Sequence, residues 1–363
     1  MASVAGILLT WLLLKLYGPA RTRSLYASGA LLIVSLAITL ISAEYIVRYS
    51  FRDITTTRDN NSYFARTWLA AHPPRKNSHG FREREFSIEK PENIYRIAVI
   101  GDSFTFGQGI EEKDRFSNLL EHRLNRSQGR YQVLNFGKAG TNTAEEVNIL
   151  KHQVLDTSPD YILLQWYIND GEGRDSKKKR PWALLPSHFL TSYLHERSAL
   201  FYMLNSHWQH LQVSLGLIKK YDDYVMERFG DPDSAPSQAA ASALEEFFRI
   251  AKAHNIPVGV VMFPRLIDAR GSINNYGLGF LIDHAMVVCR QHGVSCLDLR
   301  PIFADVSPAT KLWANRLDPH PGPLANRMVC ETILKDFKQG WVKNDAQQTH
   351  APVRTADPAY RKP

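Results

Sequence analysis

"RIAVIGDSFTFGQGIEEKDRF", residues 96–116, is the stretch whose reading decides the fold. An apolar run of strand type ends on Gly101, and Ser103 comes two residues later, where a helix is due to begin. A serine in that place has two readings. Ser is a common helix N-cap, and a parallel sheet also delivers nucleophiles to its carboxyl edge. The rest of the chain has to choose between them.

Further apolar runs occur at 131–137 (YQVLNFG), 161–167 (YILLQWY), 256–263 (IPVGVVMF) and 294–299 (VSCLDL). Helix-period stretches lie between them at 114–125, 143–156, 236–254 and 276–292, with a last one over 323–338. Thr143 followed by Glu146 reads as a capping box, and Gly293 stands where a C-cap glycine would. The strand runs hardly alternate, so both faces of each are buried. Five such strands separated by helices predict a parallel sheet covered on both sides, an α/β fold. The interval 171–235 is too long for a simple crossover and carries an aromatic-rich helical insertion. Residues 51–91 read as an ordered but irregular polar linker, 92–340 as the folded domain, and 341–363 as a disordered polar tail.

Composition narrows the function classes. The 363 residues are 44% hydrophobic and 22% charged, as in a globular protein with a real core. A net charge of +8 invites a nucleic-acid reading. The single dense basic run, Lys177-Lys178-Lys179-Arg180, lacks the interleaved aromatics of a single-strand binder, so no nucleic-acid partner is expected. Three cysteines are too few for a disulfide scaffold, and neither CxxC nor HExxH marks a metal site. Cys289 and Cys296 are spaced to bridge a helix end to a strand start, provided the compartment is oxidising.

The N-terminus reads as a membrane anchor over residues 1–50. Residues 24–43 are uncharged and span about 30 Å as a helix, one bilayer core. Val4–Leu14 is a shorter run that offers a second, marginal span. Lys15, Arg21 and Arg23 lie between the two, so the positive-inside rule keeps them cytosolic and exports the chain beyond Arg48. A cleaved signal peptide fits less well, because the long run starts late and lacks an A-x-A site. The expectation is an extracytoplasmic, periplasm-facing domain tethered to the cytoplasmic membrane.

In open parallel sheets, ligands bind outside the carboxyl ends of the strands. The first strand is succeeded there by Gly101-Asp102-Ser103, the second by a loop with Gly140, the third by Asn169 and Asp170, and the fifth by a segment holding Asp318 and His320. Each alone has a structural explanation as a cap, a turn or a loop amide. Together they are what acyl transfer requires. A serine needs a base, the imidazole needs an acceptor on its other nitrogen, and the oxyanion needs N–H donors. Asp318 and His320 both precede prolines, which biases them to extended backbone. Residues two apart then project to one side, about 6.5 Å apart, so the carboxylate reaches Nδ1 and leaves Nε2 to the serine.

These residues and their order resemble the SGNH (GDSL-like) hydrolase superfamily over residues 77–338. Gly101-Asp102-Ser103 matches the block with the nucleophile, Gly140 and Asn169 match the oxyanion-hole glycine and asparagine, and His320 matches the base. The resemblance implies a flavodoxin-like three-layer α/β/α fold, an acyl-enzyme mechanism on an acylated substrate, and neither metal nor organic cofactor. It departs in one place. The family's acid usually stands three residues before the histidine, where this chain has Leu317, and Asp318 at minus two takes its place. Relatives outside the cytoplasm include carbohydrate esterases and enzymes that move acetyl groups on and off polysaccharides. An O-acetyltransferase using the same residues is therefore one alternative to an esterase. A non-catalytic glycan- or partner-binding envelope protein is another.

Overall fold

A computed structural model describes residues 20–57, 61–73, 75–126, 130–168, 189–266 and 277–348. In chain order the elements begin with α1 (Ala20–Ser50), α2 (Tyr63–Ala71), β1 (Tyr95–Gly101), α3 (Ser103–Phe106), α4 (Phe116–Leu124), β2 (Tyr131–Gly137), α5 (Thr143–Ile149) and β3 (Tyr161–Trp166). Three helices of the insertion come next, α6 (Phe189–Arg197), α7 (Ala199–Ser214) and α8 (Tyr221–Phe229). The chain continues through α9 (Ala235–Ala253), β4 (Val258–Met262), α10 (Gly279–Gln291), β5 (Ser295–Asp298), α11 (Arg300–Ala304), the hairpin β6 (Trp313–Asn315) and β7 (Asp318–Pro321), and α12 (Pro323–Gln348).

The five long strands form one parallel sheet in the order β2-β1-β3-β4-β5, the flavodoxin-like arrangement. Alternate residues of each strand serve opposite cores. Ala98, Ile100, Leu134, Leu164 and Met262 pack under α5, α9 and α10. Ile97, Val99, Val133, Leu163 and Val261 pack under α4 and α12. Strands buried on both faces have no polar face to show, which is why their sequences do not alternate. The chain leaves β1 toward β2 on one side and β2 toward β3 on the other. The carboxyl ends of β1 and β3 thus border the crevice where this topology places ligands.

Several sequence expectations are corrected. Residues 51–91 are more regular and more deeply packed than expected. They contain α2, capped by Ser62, and they bury Ile54, Phe64, Ala65 and Phe81. Their polarity hides this because buried polar groups bond the segment's backbone: Arg96, fully buried at the start of β1, donates to the carbonyls of Ser87 (3.1 Å) and Ile88 (2.9 Å). The capping box lies one residue earlier than expected. Asn142 accepts from Glu145 N–H (3.0 Å) and its own N–H donates to Glu145 (3.2 Å), while Thr143 and Glu146 are turned inward and buried. The helix after Asn142 is α-helical only to Ile149 and continues through a wider turn at Leu150–Val154. The tail boundary also moves: α12 runs to Gln348, with Trp341 fully buried against Tyr161 and Phe337.

α1 is the one helix among the described residues that is long and apolar enough to cross a membrane, over Tyr26–Ser50. Its Leu31, Leu32, Ile33, Leu36 and Leu40 are exposed. The shorter run Val4–Leu14, the basic run 177–180 and residues 349–363 lie outside the described residues. Glu44 near the end of α1 accepts from Ser198 Oγ (2.7 Å), Ala199 N–H (2.9 Å) and Leu200 N–H (2.9 Å), which fastens the insertion to the helix at the start of α7.

Cys289 at the end of α10 and Cys296 in β5 form a disulfide, with a Cα separation of 6.4 Å. Gly293 turns the chain between them with φ +66°. Cys330 is free and buried. Thiol titration of the unreduced, denatured chain should therefore find one thiol of the three cysteines, and all three after reduction. The Cys289→Ser variant should be about 2 kcal/mol less stable, as expected for a short closed loop.

Candidate active site

The turn from β1 into α3 is fixed from three sides. Asp102, not Ser103, caps α3, its carboxylate accepting from Phe104 N–H (2.9 Å). Ser103 is therefore the first helical residue, and its side chain is free of the capping role that was its structural reading. Gln165, fully buried in β3, directs one amide oxygen at Asp102 N–H (3.1 Å), Thr105 N–H (3.1 Å) and Thr105 Oγ1 (2.9 Å). Gly101 is required beneath it, because a Cβ there would overlap Gln165 Oε1 and Thr105 Oγ1. Asn135 in β2 holds the other side, donating to Thr105 O (2.7 Å).

The far end of α3 rests on buried arginines. Arg82 donates to the carbonyl of Phe106 (3.2 Å), the last residue of α3, whose end leaves carbonyls open, and to those of Gly107 (2.7 Å) and Ile110 (2.9 Å) in the turn beyond it. Arg115, fully buried, donates to Arg82 O and lies 3.5 Å from the Glu83 carboxylate. Burial pushes the Arg115 guanidinium down to about 10, with the Glu83 charge opposing the shift.

The β6–β7 hairpin brings the second half of the site. His320 Nε2 lies 2.9 Å from Ser103 Oγ, and His320 Nδ1 lies 2.5 Å from Asp318 Oδ1. The His320 backbone N–H also donates to Asp318 Oδ1 (3.1 Å), the local geometry of two extended residues before prolines. Phe104 sets its ring edge-on to His320 at 5.4 Å. Asn326 fixes the end of the hairpin, donating to Pro321 O (2.9 Å) and Gly322 O (3.0 Å) while accepting from Phe116 N–H (2.9 Å). Asp318 is fully buried, and Thr56 Oγ1 donates to its Oδ2. Burial raises the Asp318 carboxyl, but the His320 charge and the hydrogen bonds from His320 and Thr56 outweigh it and hold the group below its ordinary value.

Gly140 stands in the loop after β2, exposed, with φ +79° and open space where a side chain would be. That loop is drawn to the end of β1 by Lys138 N–H, which donates to Gly101 O (3.0 Å), and it is closed by Thr141 Oγ1 on Lys138 O (2.8 Å). Asn169 and Asp170 lie outside the described residues. The structure thus joins Ser103, His320 and Asp318 in one hydrogen-bonded line at the β1–β3 crevice and sets Gly140 on the same edge. Such a line can move a proton from a serine hydroxyl to an imidazole backed by a carboxylate. Among the described residues no cluster of His, Cys, Asp and Glu could hold a metal. The supporting residues Thr56, Arg82, Asn135 and Gln165 are not among those that sequence reasoning singles out. Only the last two leave a signal, as polar residues inside otherwise apolar strands.

The family model described as "GDSL-like Lipase/Acylhydrolase family" matches residues 99–328. Comparison with curated proteins gave no match. Among solved structures, the chain is similar to one described as TesA, with 15% identity over 67% of this chain and 98% of that chain and a TM-score of 0.42. It is also similar to the acetyl xylan esterase AlAXEase, at 15% identity over 66% and 98% of the two chains and a TM-score of 0.40. A third is the esterase EstA from Pseudoalteromonas sp., at 12% identity over 69% and 100% of the two chains and a TM-score of 0.42.

The supports of the site can be tested through stability. Gln165→Leu keeps the volume but strands buried N–H groups of Asp102 and Thr105, so it should cost about 2–4 kcal/mol in denaturant unfolding. Asp318 has a lowered folded pKa, so its contribution to stability is present above the unfolded carboxyl value and lost as pH falls through the folded one. From about pH 5 downward, unfolding free energy should therefore fall more steeply for the wild type than for Asp318→Asn.

Proposed function

Because the chain belongs to the GDSL-like lipase/acylhydrolase family, the SGNH hydrolases, we propose that it hydrolyses esters through an acyl-enzyme on Ser103, as a membrane-anchored enzyme facing away from the cytosol. The observation that carries the reading is the line from Ser103 Oγ through the His320 ring to buried Asp318. In the first half-reaction Ser103 Oγ attacks the ester carbonyl as His320 Nε2 takes its proton. The carbonyl becomes a tetrahedral oxyanion, held by the N–H groups of Ser103 and Gly140 and the Asn169 amide. The oxyanion collapses, the ester C–O bond breaks, and the alcohol leaves with the proton from His320. Water then attacks the acyl-Ser103 carbonyl, giving its proton to His320, and Ser103 Oγ takes that proton back as the acid departs. Asp318 stays ionised throughout, orients the ring and stabilises the imidazolium.

The Ser103 N–H is well suited to the oxyanion, since the first N–H groups of a helix have no intrahelical partner. The exposed Gly140, with open space where a side chain would be, leaves room beside its own backbone on that edge. Anchoring is supported by the apolar α1, and an oxidising compartment by the Cys289–Cys296 disulfide. The positive residues Lys15, Arg21 and Arg23 ahead of the apolar stretch support that orientation. A site tethered there meets the envelope's polysaccharides, so O-acyl and especially O-acetyl esters are the substrate class proposed.

Purified full-length protein should hydrolyse aryl acetates. Ser103→Ala and His320→Ala should each lower turnover by about 10³-fold or more, and the double variant by little further, because the two act as a unit. Asn169→Ala should lose about 10²–10³. Turnover that survives Ser103→Ala would overturn the mechanism. A topology reporter fused after residue 60 should be active only outside the cytosol, and cytosolic activity would overturn the location.

A further inference from the structure

We propose that Thr56 is a positioning residue for the Asp318–His320 pair, so that the segment just beyond α1 completes the active site. The inference rests on the hydrolase reading of Ser103 and His320. His320 occupies Asp318 Oδ1 with both Nδ1 and its backbone N–H. The other oxygen, Oδ2, receives the Thr56 hydroxyl, and both residues are buried, Thr56 at 1% and Asp318 at 0% exposure. A carboxylate held at one oxygen only is free to rotate about its Cβ–Cγ bond and carry the imidazole with it. Held at both oxygens, it presents Oδ1 to the ring in one orientation.

The approach of the two residues is built into the fold. Gly109, at φ +78°, faces both side chains, and a Cβ there would overlap Thr56 Oγ1. The stretch of backbone that carries Thr56 is clamped from both neighbours. Thr55 Oγ1 donates to Gly109 O (3.0 Å), and Gln108 Nε2 donates to Thr57 O (3.2 Å). Asn315 Nδ2 donates to Thr55 Oγ1 (3.0 Å) and to Thr56 O (2.9 Å). Asn315 is also the residue paired with Asp318 across the β6–β7 hairpin, so one hairpin grips both ends of the contact. Thr56 stands six residues past Ser50, the last residue of α1 (56 − 50 = 6). The apolar helix and the buried carboxylate are thus joined by a very short stretch of chain.

The test compares full-length wild type, Thr56→Val and Thr56→Ser in detergent micelles, with p-nitrophenyl acetate as the probe and a circular-dichroism melt on each sample. Valine removes the hydroxyl at nearly constant volume, and serine restores it. Thr56→Val should lower kcat about ten- to a hundredfold with KM unchanged, the loss of one hydrogen bond to a buried charge. Thr56→Ser should return to within about threefold of wild type. Should Thr56→Val fail to fold, Asn315→Ala decides. It frees the backbone carrying Thr56 while keeping the hydroxyl, and it should lower kcat severalfold with KM unchanged. A folded Thr56→Val with wild-type kcat, a serine variant as slow as the valine one, or an Asn315→Ala with unaltered kcat would overturn the inference alone. A wild type with no turnover would overturn the hydrolase reading and this inference together.

Discussion

Asp318 is a carboxylate with no exposure to water. Removing such a group from solvent costs on the order of several kcal/mol unless donors replace the lost hydration. Much of the structure around it is explained by that requirement. The hairpin supplies the His320 ring and backbone N–H to one oxygen, and the segment after α1 supplies the Thr56 hydroxyl to the other. Gly109 leaves room for the second of these, and Asn315 ties the two suppliers together. With its donors in place the carboxyl sits below its ordinary pKa and is ionised when the imidazole needs it.

The nucleophile side solves a related problem for backbone groups. A sharp turn between strand and helix exposes N–H groups that have no ladder or helix partner, and here they lie in the protein interior. Gln165 collects them on a single amide oxygen. Arg82 does the same for the carbonyls at the other end of α3. Ser103 is thereby held on a short helix whose two ends are both fixed by side chains from elsewhere in the fold. Its hydroxyl is left to meet His320 rather than to cap the helix. The scaffold thus supplies rigidity where a mechanism of positioned proton transfer needs it.

The sheet was legible in the sequence because burial on both faces writes itself as unbroken apolar runs, and all five runs are strands of one parallel sheet. Ser103 was legible as a residue at a strand end, and the prolines after Asp318 and His320 allowed the Asp–His geometry to be argued locally, although the β6–β7 hairpin that carries the pair was not foreseen. What was not legible depends on contacts distant in sequence. Thr56 and Asp318 are 262 positions apart, and nothing in a polar stretch after an apolar helix marks which hydroxyl will meet a carboxylate. The same polarity made residues 51–91 read as a linker, although Arg82 is buried within it and Arg96 is buried against it, each satisfying backbone carbonyls. Gln165 and Asn135 did leave a trace, since a buried amide in an apolar strand has to bond something. The helix start at Thr143 was legible, but its cap was placed one residue late, because Asn and Thr are both good caps and only the backbone angles decide between them.

The central claim is that Ser103 is a nucleophile activated by His320, and covalent labelling tests it most directly. The full-length protein would be treated with a fluorophosphonate and its adducts mapped by mass spectrometry. The predicted result is one adduct per chain, on Ser103, that disappears in Ser103→Ala and forms far more slowly in His320→Ala. No adduct on the wild type, or an adduct on another residue that persists in Ser103→Ala, would contradict it.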